Sequence, residues 1–400
     1  MEISLNSFFD AIESKHCATA LAIANCYDGD KTVEYYCRLA DSYSQVNRYQ
    51  SSLEIFRVLS EIDTDERGYW YLIATASVQR RMGLYSDGQS SFRKAIELEP
   101  DDATARIMLG AMQARFGFIT EAELTHREAT GCSEGYIDEA WYNLALVLRA
   151  QGKFEEARES CLRALEICES ESVRNALSDI EEGIRFRQEH STLLRKVMSG
   201  SDPIAKANWL QLVRSTANED QVCKSIVLSK VDIEHLPVNT GDDQFWRDLE
   251  YVENLWSVSV YADATRFFQR LCAGNEDDRW YGFAQSGRMN VCLHRFDQAE
   301  KDFRAAYQED LEDTWALEQL ADMFVVSGQL EKAEQVCLEA MAVSSQCDAF
   351  VAYNLGRAYR GQCRFEEAMT AFRDADGFRD SEASIADLER AIEIVGGQSF

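Results

Sequence analysis

The residue types that most often catalyse reactions or hold metal ions are present in this sequence, but none falls at a catalytic or metal-ligand spacing. The twelve cysteines contain no Cys-x-x-Cys pair, and we expect them to be free thiols. Neighbouring carboxylates, as in "FEEA" and "DLEDT", are typical of the solvated faces of amphipathic helices. The five histidines are His16, His126, His190, His235 and His294. We therefore expect no metal, no cofactor and no catalytic residue, and we interpret the chain as not an enzyme.

Arginines near the ends of three predicted helices could instead recognise negative charge. Arg80 and Arg81 end the first of these helices, Arg115 ends the second and Arg149 the third. Guanidinium groups hold carboxylates and phosphates through paired, charge-assisted hydrogen bonds, so the series predicts a groove for an acidic or phosphorylated segment. Basic residues at a helix C-terminus also stabilise the helix dipole, and that structural role is the alternative interpretation.

A set of aromatic side chains recurs near the beginning of four later helices. Their spacing of 34 or 35 residues would place them at the same point of successive repeats. Aromatic groups supply much of the binding energy when a ligand buries them, but they are equally useful in packing between repeats. The four residues are Trp246, Tyr281, Trp315 and Phe350.

Side-chain amides follow these aromatic residues at one turn of helix. Gln285, Gln319 and Asn354 each come four residues after an aromatic residue of the set, and Asn143 occupies the same place in an earlier helix. Each amide offers a donor and an acceptor, which suits a peptide backbone of any sequence. The aromatic and amide residues together predict a surface for an extended or helical peptide.

The elements that must position these residues are helices. Only three prolines occur in 400 residues, and 46% of the residues are hydrophobic, which indicates a nearly all-helical chain with ample material for a core. The net charge of −28 makes nucleic acid and anionic lipid poor ligands. The N-terminus has no basic stretch before its apolar residues, so we expect no signal peptide. No apolar run is long enough to span a bilayer, and we expect a cytoplasmic protein without a membrane partner.

A repeat of 34 or 35 residues organises these helices into hairpins. Glycines follow the first helix of three successive repeats, where a left-handed helix C-terminus is common; they are Gly83, Gly117 and Gly152. Small residues of the second helix recur at the same period and let helices approach closely. They are Ala95, Ala129 and Ala164 in the first part of the chain and Ala264, Ala299, Ala333 and Ala368 in the last part.

The repeats resemble the tetratricopeptide repeat family over residues 33–168 and 244–378. The resemblance implies an all-α, right-handed superhelical solenoid in two arrays joined by a degenerate helical middle. It also implies that the first helix of each hairpin lines a concave wall. Some members of the family use an asparagine on this wall to hold the backbone of an extended peptide, and Asn143 and Asn354 stand at that position.

Several turns depart from the family's pattern. Asn47 stands at the place of the first turn glycine, and asparagine also tolerates a left-handed conformation. Ser259, His294 and Cys363 stand at the same place in later repeats, and we expect irregular turns there. His126 falls where other repeats carry phenylalanine, so we expect it to pack in the core.

The repeat pattern also divides the chain. Because a solenoid must cover its terminal apolar faces, the outermost segments are predicted to be caps. The predicted segments are an N-terminal helical cap at 1–32, a first array at 33–168, degenerate repeats or a hinge at 169–243 with a loop at 231–243, a second array at 244–378, and a capping helix and tail at 379–400.

The expected function is that of a protein- or peptide-binding scaffold or adaptor that uses the concave groove. The partner is expected to be another protein or a peptide segment, acidic where it meets the first array. The alternative is a regulatory protein whose solenoid changes shape when a peptide binds. Enzymatic activity is the third and weakest interpretation.

Overall fold

A computed structural model describes residues 3–29, 31–62, 67–198, 279–343, 348–375 and 377–396, together with isolated positions between 204 and 273. Within these residues every regular element is an α-helix, which confirms the predicted all-α class. No helix in the described part of the chain is long and apolar enough to cross a membrane.

The helices are arranged as successive hairpins. In the first part they are α1 (Leu5–Glu13), α2 (Cys17–Cys26), α3 (Val33–Gln45), α4 (Tyr49–Ile62), α5 (Gly68–Arg81), α6 (Tyr85–Leu98), α7 (Thr104–Arg115), α8 (Ile119–Thr130), α9 (Ile137–Ala150), α10 (Phe154–Ile167), α11 (Glu171–Glu189) and α12 (Ser191–Met198). In the last part they are α13 (Arg279–Cys292), α14 (Phe296–Glu309), α15 (Trp315–Val326), α16 (Leu330–Val343), α17 (Ala349–Gly361), α18 (Phe365–Asp374) and α19 (Ser381–Gly396).

The hairpins from α1–α2 to α9–α10 and from α13–α14 to α17–α18 each turn through one residue in the left-handed region. Gly117 has φ 90° and Gly152 has φ 72°, and glycine adopts this region without steric cost. Cys363 has φ 59° and makes the same pair of bonds as the glycines: its N–H donates to Arg360, and the N–H of Arg364 donates to Tyr359. The expected irregular turn at Cys363 is therefore wrong, because the bonding of the turn outweighs the strain of a side chain at positive φ.

Two other predicted turn residues also have positive φ angles. Asn47 has φ 61°, as predicted, and His294 has φ 53°. His294 thus adopts the left-handed turn conformation instead of an irregular one. Ser259 lies outside the described residues.

Small residues hold the helices of each hairpin close together. Ala129, Ala164 and Ala368 are fully buried. The facing helices approach even more closely at Gly110 and Gly356. A Cβ at Gly110 would lie 2.6 Å from the His126 ring, and a Cβ at Gly356 would lie 2.9 Å from the Phe372 ring. In both hairpins, therefore, a ring on the second helix occupies the space that a glycine leaves on the first. His126 is a core residue, as predicted, at 1% exposed.

The described contacts divide the chain into two compact units. The end unit contains residues 1–95 and 294–400, and the middle unit contains residues 96–293. The core of the end unit joins residues from both chain ends, among them Phe8, Leu21, Tyr35, Phe372 and Leu388. The first and last helices thus cover each other's apolar faces. The predicted two-array arrangement stays a prediction, and its loop at 231–243 lies outside the described residues.

A buried carboxylate on the last helix caps the N-terminus of α2. Asp387 accepts hydrogen bonds from Ala18 N at 2.8 Å, Thr19 N at 3.1 Å and Thr19 Oγ1 at 2.6 Å. The N-cap residue of α2 itself, His16, makes no side-chain capping bond. Because the first N–H groups of a helix have no partner within it, α19 supplies the acceptors that α2 lacks.

We expect Gly117→Ala to lower the free energy of unfolding by roughly 1–2 kcal/mol, the cost of a left-handed conformation for a residue with a Cβ. Gly131→Ala is the matched control, because Gly131 has an ordinary φ of −91° and the nearest atom to an added Cβ is 3.5 Å away. Chemical denaturation measures both variants. Equal losses would contradict the left-handed turn.

The core histidine gives the fold a pH dependence. Burial lowers the pKa of His126 from 6.5 to about 4, so the imidazole is neutral in the folded chain. The unfolded chain takes up a proton near pH 6.5 and the folded chain does not. We therefore expect the free energy of unfolding to fall by up to ~1.4 kcal/mol per pH unit between those two pKa values and to lose no more from this group below pH 4.

His126→Phe tests this dependence, since the pair of Gly356 and Phe372 shows that a phenylalanine ring fits opposite a glycine. Denaturation curves at several pH values should show a weaker decline for the variant than for the parent chain below pH 6.5. If the free energy of unfolding declines equally in the variant and the parent chain, the acid sensitivity comes from the carboxylates and not from His126.

Candidate functional site

The described members of the predicted aromatic set are half-buried, and each packs edge-on against another ring. Tyr281 contacts Phe268 with ring centroids 6.1 Å apart, in the middle unit. Trp315 contacts Phe303 at 6.4 Å, in the end unit. Such edge-to-face pairs stabilise packing between neighbouring helices. These two residues therefore contribute to the packing of their units as well as to the surface.

The other two members of the aromatic set are Phe350 and Trp246. Phe350 lies 6.0 Å from Phe378, again edge-on. Trp246 lies outside the described residues. Trp315 and Phe350 belong to the end unit and Tyr281 to the middle unit, so the structure does not describe the predicted set as one continuous surface.

The amide of Asn354 is buried within a charged network. Its side chain is 0% exposed, and its Oδ1 accepts from Arg357 Nη1 at 2.9 Å. The same Nη1 pairs with Asp322 Oδ1 at 2.6 Å. The Nδ2 group of Asn354 has no hydrogen-bond partner among the described residues. A buried amide donor without a partner is costly, so this group is available to an acceptor that can reach it.

The other predicted amides differ in their accessibility. Gln285 is 4% exposed, and its Oε1 accepts from Arg288 Nη1 at 3.3 Å. Gln319 is half-buried. Asn143 is also half-buried, and its Nδ2 donates to the carbonyl of Glu139 at 2.9 Å. Asn143 and Gln319 are thus the predicted amides that solvent can reach.

The four predicted arginines are divided between the two units. Arg149 is only 12% exposed and pairs with Asp179 on α11 at 3.1 Å. Arg115 is exposed at the end of α7. These two belong to the middle unit, and Arg80 and Arg81 belong to the end unit.

The two end-unit arginines take part in contacts between chain segments. The carbonyl of Arg80 lies 3.1 Å from His294 Nδ1. Burial raises the pKa of the Tyr49 hydroxyl, and a hydrogen bond from Arg81 opposes that rise. Their positions at the end of a helix remain compatible with the structural role proposed above.

Trp70 is an exposed aromatic residue on a first helix that the predicted aromatic set does not include. It is 52% exposed and precedes the turn residue Gly83 by the same thirteen residues that separate Trp315 from Gly328. Extending the aromatic series into the first part of the chain would have found it. Ala74, Ser77 and Arg81 share its face of α5, because they follow it at helical spacing.

Trp315 and Trp70 form a matched pair for a stability test. We expect Trp315→Ala to lower the free energy of unfolding by about 2 kcal/mol, roughly half the loss of a fully buried tryptophan, because it removes the contact with Phe303. Trp70→Ala should cost less, since Trp70 is more exposed. Thermal denaturation distinguishes the two, and equal losses would show that exposure does not separate wall residues from packing residues.

Comparisons with known proteins identify the repeat. The tetratricopeptide repeat family matches residues 73–137 and residues 138–171. A comparison with curated proteins found no matching relative. Among solved structures, the P58(IPK) TPR domain is similar at 14% identity, with 83% of this chain and 99% of that chain covered and a TM-score of 0.31.

Two further structures are similar to this chain. A tetratricopeptide repeat protein from Parabacteroides merdae has 17% identity, 82% and 99% coverage and a TM-score of 0.29. Yeast Tom70 has 15% identity, 81% coverage of both chains and a TM-score of 0.28. The family matches, together with the helical hairpins and their left-handed turns, show that the chain contains tetratricopeptide repeats over residues 73–171.

Proposed function

We propose that the chain is a protein-binding scaffold that holds an extended peptide on the first-helix wall of the middle unit, with Asn143 at the centre of the site. Tetratricopeptide repeats form binding surfaces from stacked hairpins, and two of the matched hairpins, α7–α8 and α9–α10, lie in this unit. The proposed location is the cytoplasm, and the proposed activity is binding without catalysis.

The accessibility of Asn143 carries the proposal. Asn354 and Gln285 stand in the same register, yet both are buried. Asn143 keeps contact with solvent, and its Nδ2 is bonded to the carbonyl of Glu139 in its own helix. That bond restrains the side chain and leaves the Oδ1 acceptor for a backbone N–H of a ligand.

The surroundings of Asn143 suit a peptide with both apolar and acidic groups. Met108 on α7 and Leu146 on α9 are half-buried and supply apolar contact. No carboxylate among the described residues lies within ion-pair distance of Arg115, which is exposed on the preceding first helix. Because Arg149 is engaged by Asp179, Arg115 is the proposed contact for an acidic ligand group.

Affinity capture from the native host, followed by calorimetry with the captured partner, tests this site. The double variant Asn143→Ala, Arg115→Glu should weaken binding tenfold or more, as the loss of a central contact does. Added salt should weaken binding to the parent chain, because the Arg115 contact is screened. Arg158→Glu, at an exposed arginine on the second helix α10, is the charge-matched control. Equal losses in both variants would exclude the Asn143 wall.

A regulatory function is the second candidate. It is supported by one observation, the packing of the first helices of the chain against the last. Where contacts join the two ends of a chain, a ligand that breaks or strengthens those contacts can change the conformation of the chain.

A further inference from the structure

We propose that three aromatic rings near the C-terminal end of the chain form a cage for a quaternary ammonium group, such as that of choline or of a trimethylated lysine, and that the side chain of Arg379 occupies this cage until such a ligand displaces it. The rings belong to Phe350 and Tyr353 on α17 and to Phe378 in the loop between α18 and α19. All four residues belong to the end unit, so this site goes beyond the proposed Asn143 site of the middle unit and does not depend on it.

A positive charge of the chain itself lies among the three rings. The central carbon of the Arg379 guanidinium is 5.3 Å from the ring centroid of Phe350, 5.5 Å from that of Tyr353 and 5.2 Å from that of Phe378. All three distances fall within the range of about 6 Å in which the face of an aromatic ring attracts a cation. The rings therefore already hold one cation, which the chain supplies.

The rings stand nearly perpendicular to one another and present their faces in different directions. The Phe378 ring is inclined at 79° to the Phe350 ring and at 69° to the Tyr353 ring, with centroid separations of 6.0 Å and 5.6 Å. The planar guanidinium of Arg379 can stack flat on one of two perpendicular rings but not on both. A trimethylammonium group is roughly spherical and can contact every face, so it fits the cage better than the group that occupies it.

The cage is open to solvent. Phe350 and Phe378 are half-buried and Arg379 is exposed, whereas Tyr353 is only 7% exposed. Among the residues that the structure describes, no carboxylate lies within ion-pair distance of the Arg379 guanidinium. Its contacts with the rings are exposed cation–π contacts, which are weak, so a ligand can exchange with this side chain.

The loop between α18 and α19 holds its part of the cage at a conformational cost. Ser381 N donates to the carbonyl of Phe378 at 3.2 Å, and the Tyr353 hydroxyl donates to the Asp380 carboxylate, which ties the loop to α17. Arg379 itself has φ 53°, a left-handed conformation that is unfavourable for a residue with a Cβ. The contact of its guanidinium with the rings is therefore not a consequence of a relaxed backbone.

The charges around the cage decide how a ligand and Arg379 share it. Arg357 also lies over the Tyr353 ring, at 5.7 Å, but its charge is paired with Asp322 at 2.6 Å. Asp380 places a negative charge at the hydroxyl of the same ring, and the net charge of −28 attracts cations over a longer range. A ligand ammonium and the Arg379 guanidinium carry the same charge, so they compete for the cage.

Ligand-observed NMR with the full-length chain tests this competition. The probes are choline, the amide of acetylated trimethyllysine, and an uncharged analogue of choline in which a tert-butyl group replaces the trimethylammonium group. We expect both cations to bind Arg379→Gly at least about fivefold more tightly than the parent chain, because the rings no longer hold the guanidinium. Glycine also relieves the positive φ, so this variant removes the charge without disfavouring the loop.

Arg373→Ala is the charge-matched control, because Arg373 is exposed on α18 and pairs with Glu389 at 3.5 Å. It removes a positive charge from the same part of the chain and should leave both affinities nearly unchanged. Equal tightening in Arg373→Ala and Arg379→Gly would mean general electrostatic attraction and would overturn the cage. Equal affinity of Arg379→Gly for choline and for its uncharged analogue would overturn it as well, because a cage for cations requires the charge.

The rings are tested in the Arg379→Gly background. Phe350→Leu removes one ring but keeps an apolar side chain, and it should weaken the binding of both cations about fivefold, whereas Phe350→Tyr should retain it. Phe378→Leu makes the same test from the loop, and thermal denaturation confirms that each variant is folded. Unchanged affinity in both leucine variants, or no binding of either cation to Arg379→Gly, would overturn the proposal. Preference for choline or for the trimethyllysine probe identifies the source of the group, and either preference supports the cage.

Discussion

One buried carboxylate connects the two ends of the chain. A helix begins with N–H groups that have no partner inside it, and α2 solves this problem with Asp387, which lies 368 residues beyond Thr19. Because the Asp387 carboxylate is buried, losing its hydrogen-bond partners would cost far more free energy than for an exposed carboxylate. The three donors on α2 and the single acceptor group on α19 therefore require each other. Together with the shared hydrophobic core, the cap joins helices from both ends of the chain in one unit.

In several hairpins the facing side chains of the two helices have complementary sizes. His126 and Phe372 on second helices face glycines sixteen residues earlier on the first helices, at Gly110 and Gly356. Where the second helix carries Cys161, the first carries alanine at the same spacing. In these three hairpins a larger side chain on the second helix is thus matched by a smaller one on the first. Close packing tolerates such exchanges as long as the total volume is kept.

Much of this fold could be predicted from the sequence because its contacts are local. Hairpin bounds, the turn at Asn47 and the burial of His126 follow from a period of 34 or 35 residues, and each depends on neighbours within one repeat. The turn at Cys363 differs from its prediction although its contacts are local too. Residue preference disfavours positive φ there, but the two backbone bonds around the turn decide the conformation.

The candidate site was less predictable, because its accessibility depends on distant contacts. Asn143 and Asn354 are equivalent in the repeat, yet their neighbours differ. Asn354 accepts from Arg357, which also pairs with Asp322 on the preceding first helix, whereas Asn143 donates to the carbonyl of Glu139 in its own helix. Periodicity assigns both residues to one register, but it does not indicate which neighbouring side chains bury them.

This dependence on distant contacts bears on how such a protein can be regulated. The Asp387 cap on α2 and the close approach of Tyr49 to Gly328 join segments from the two ends of the chain within the end unit. Such contacts can respond to a ligand, because a ligand that binds more tightly when they are broken favours the broken state. It can shift the equilibrium only by the difference between its affinities for the two states.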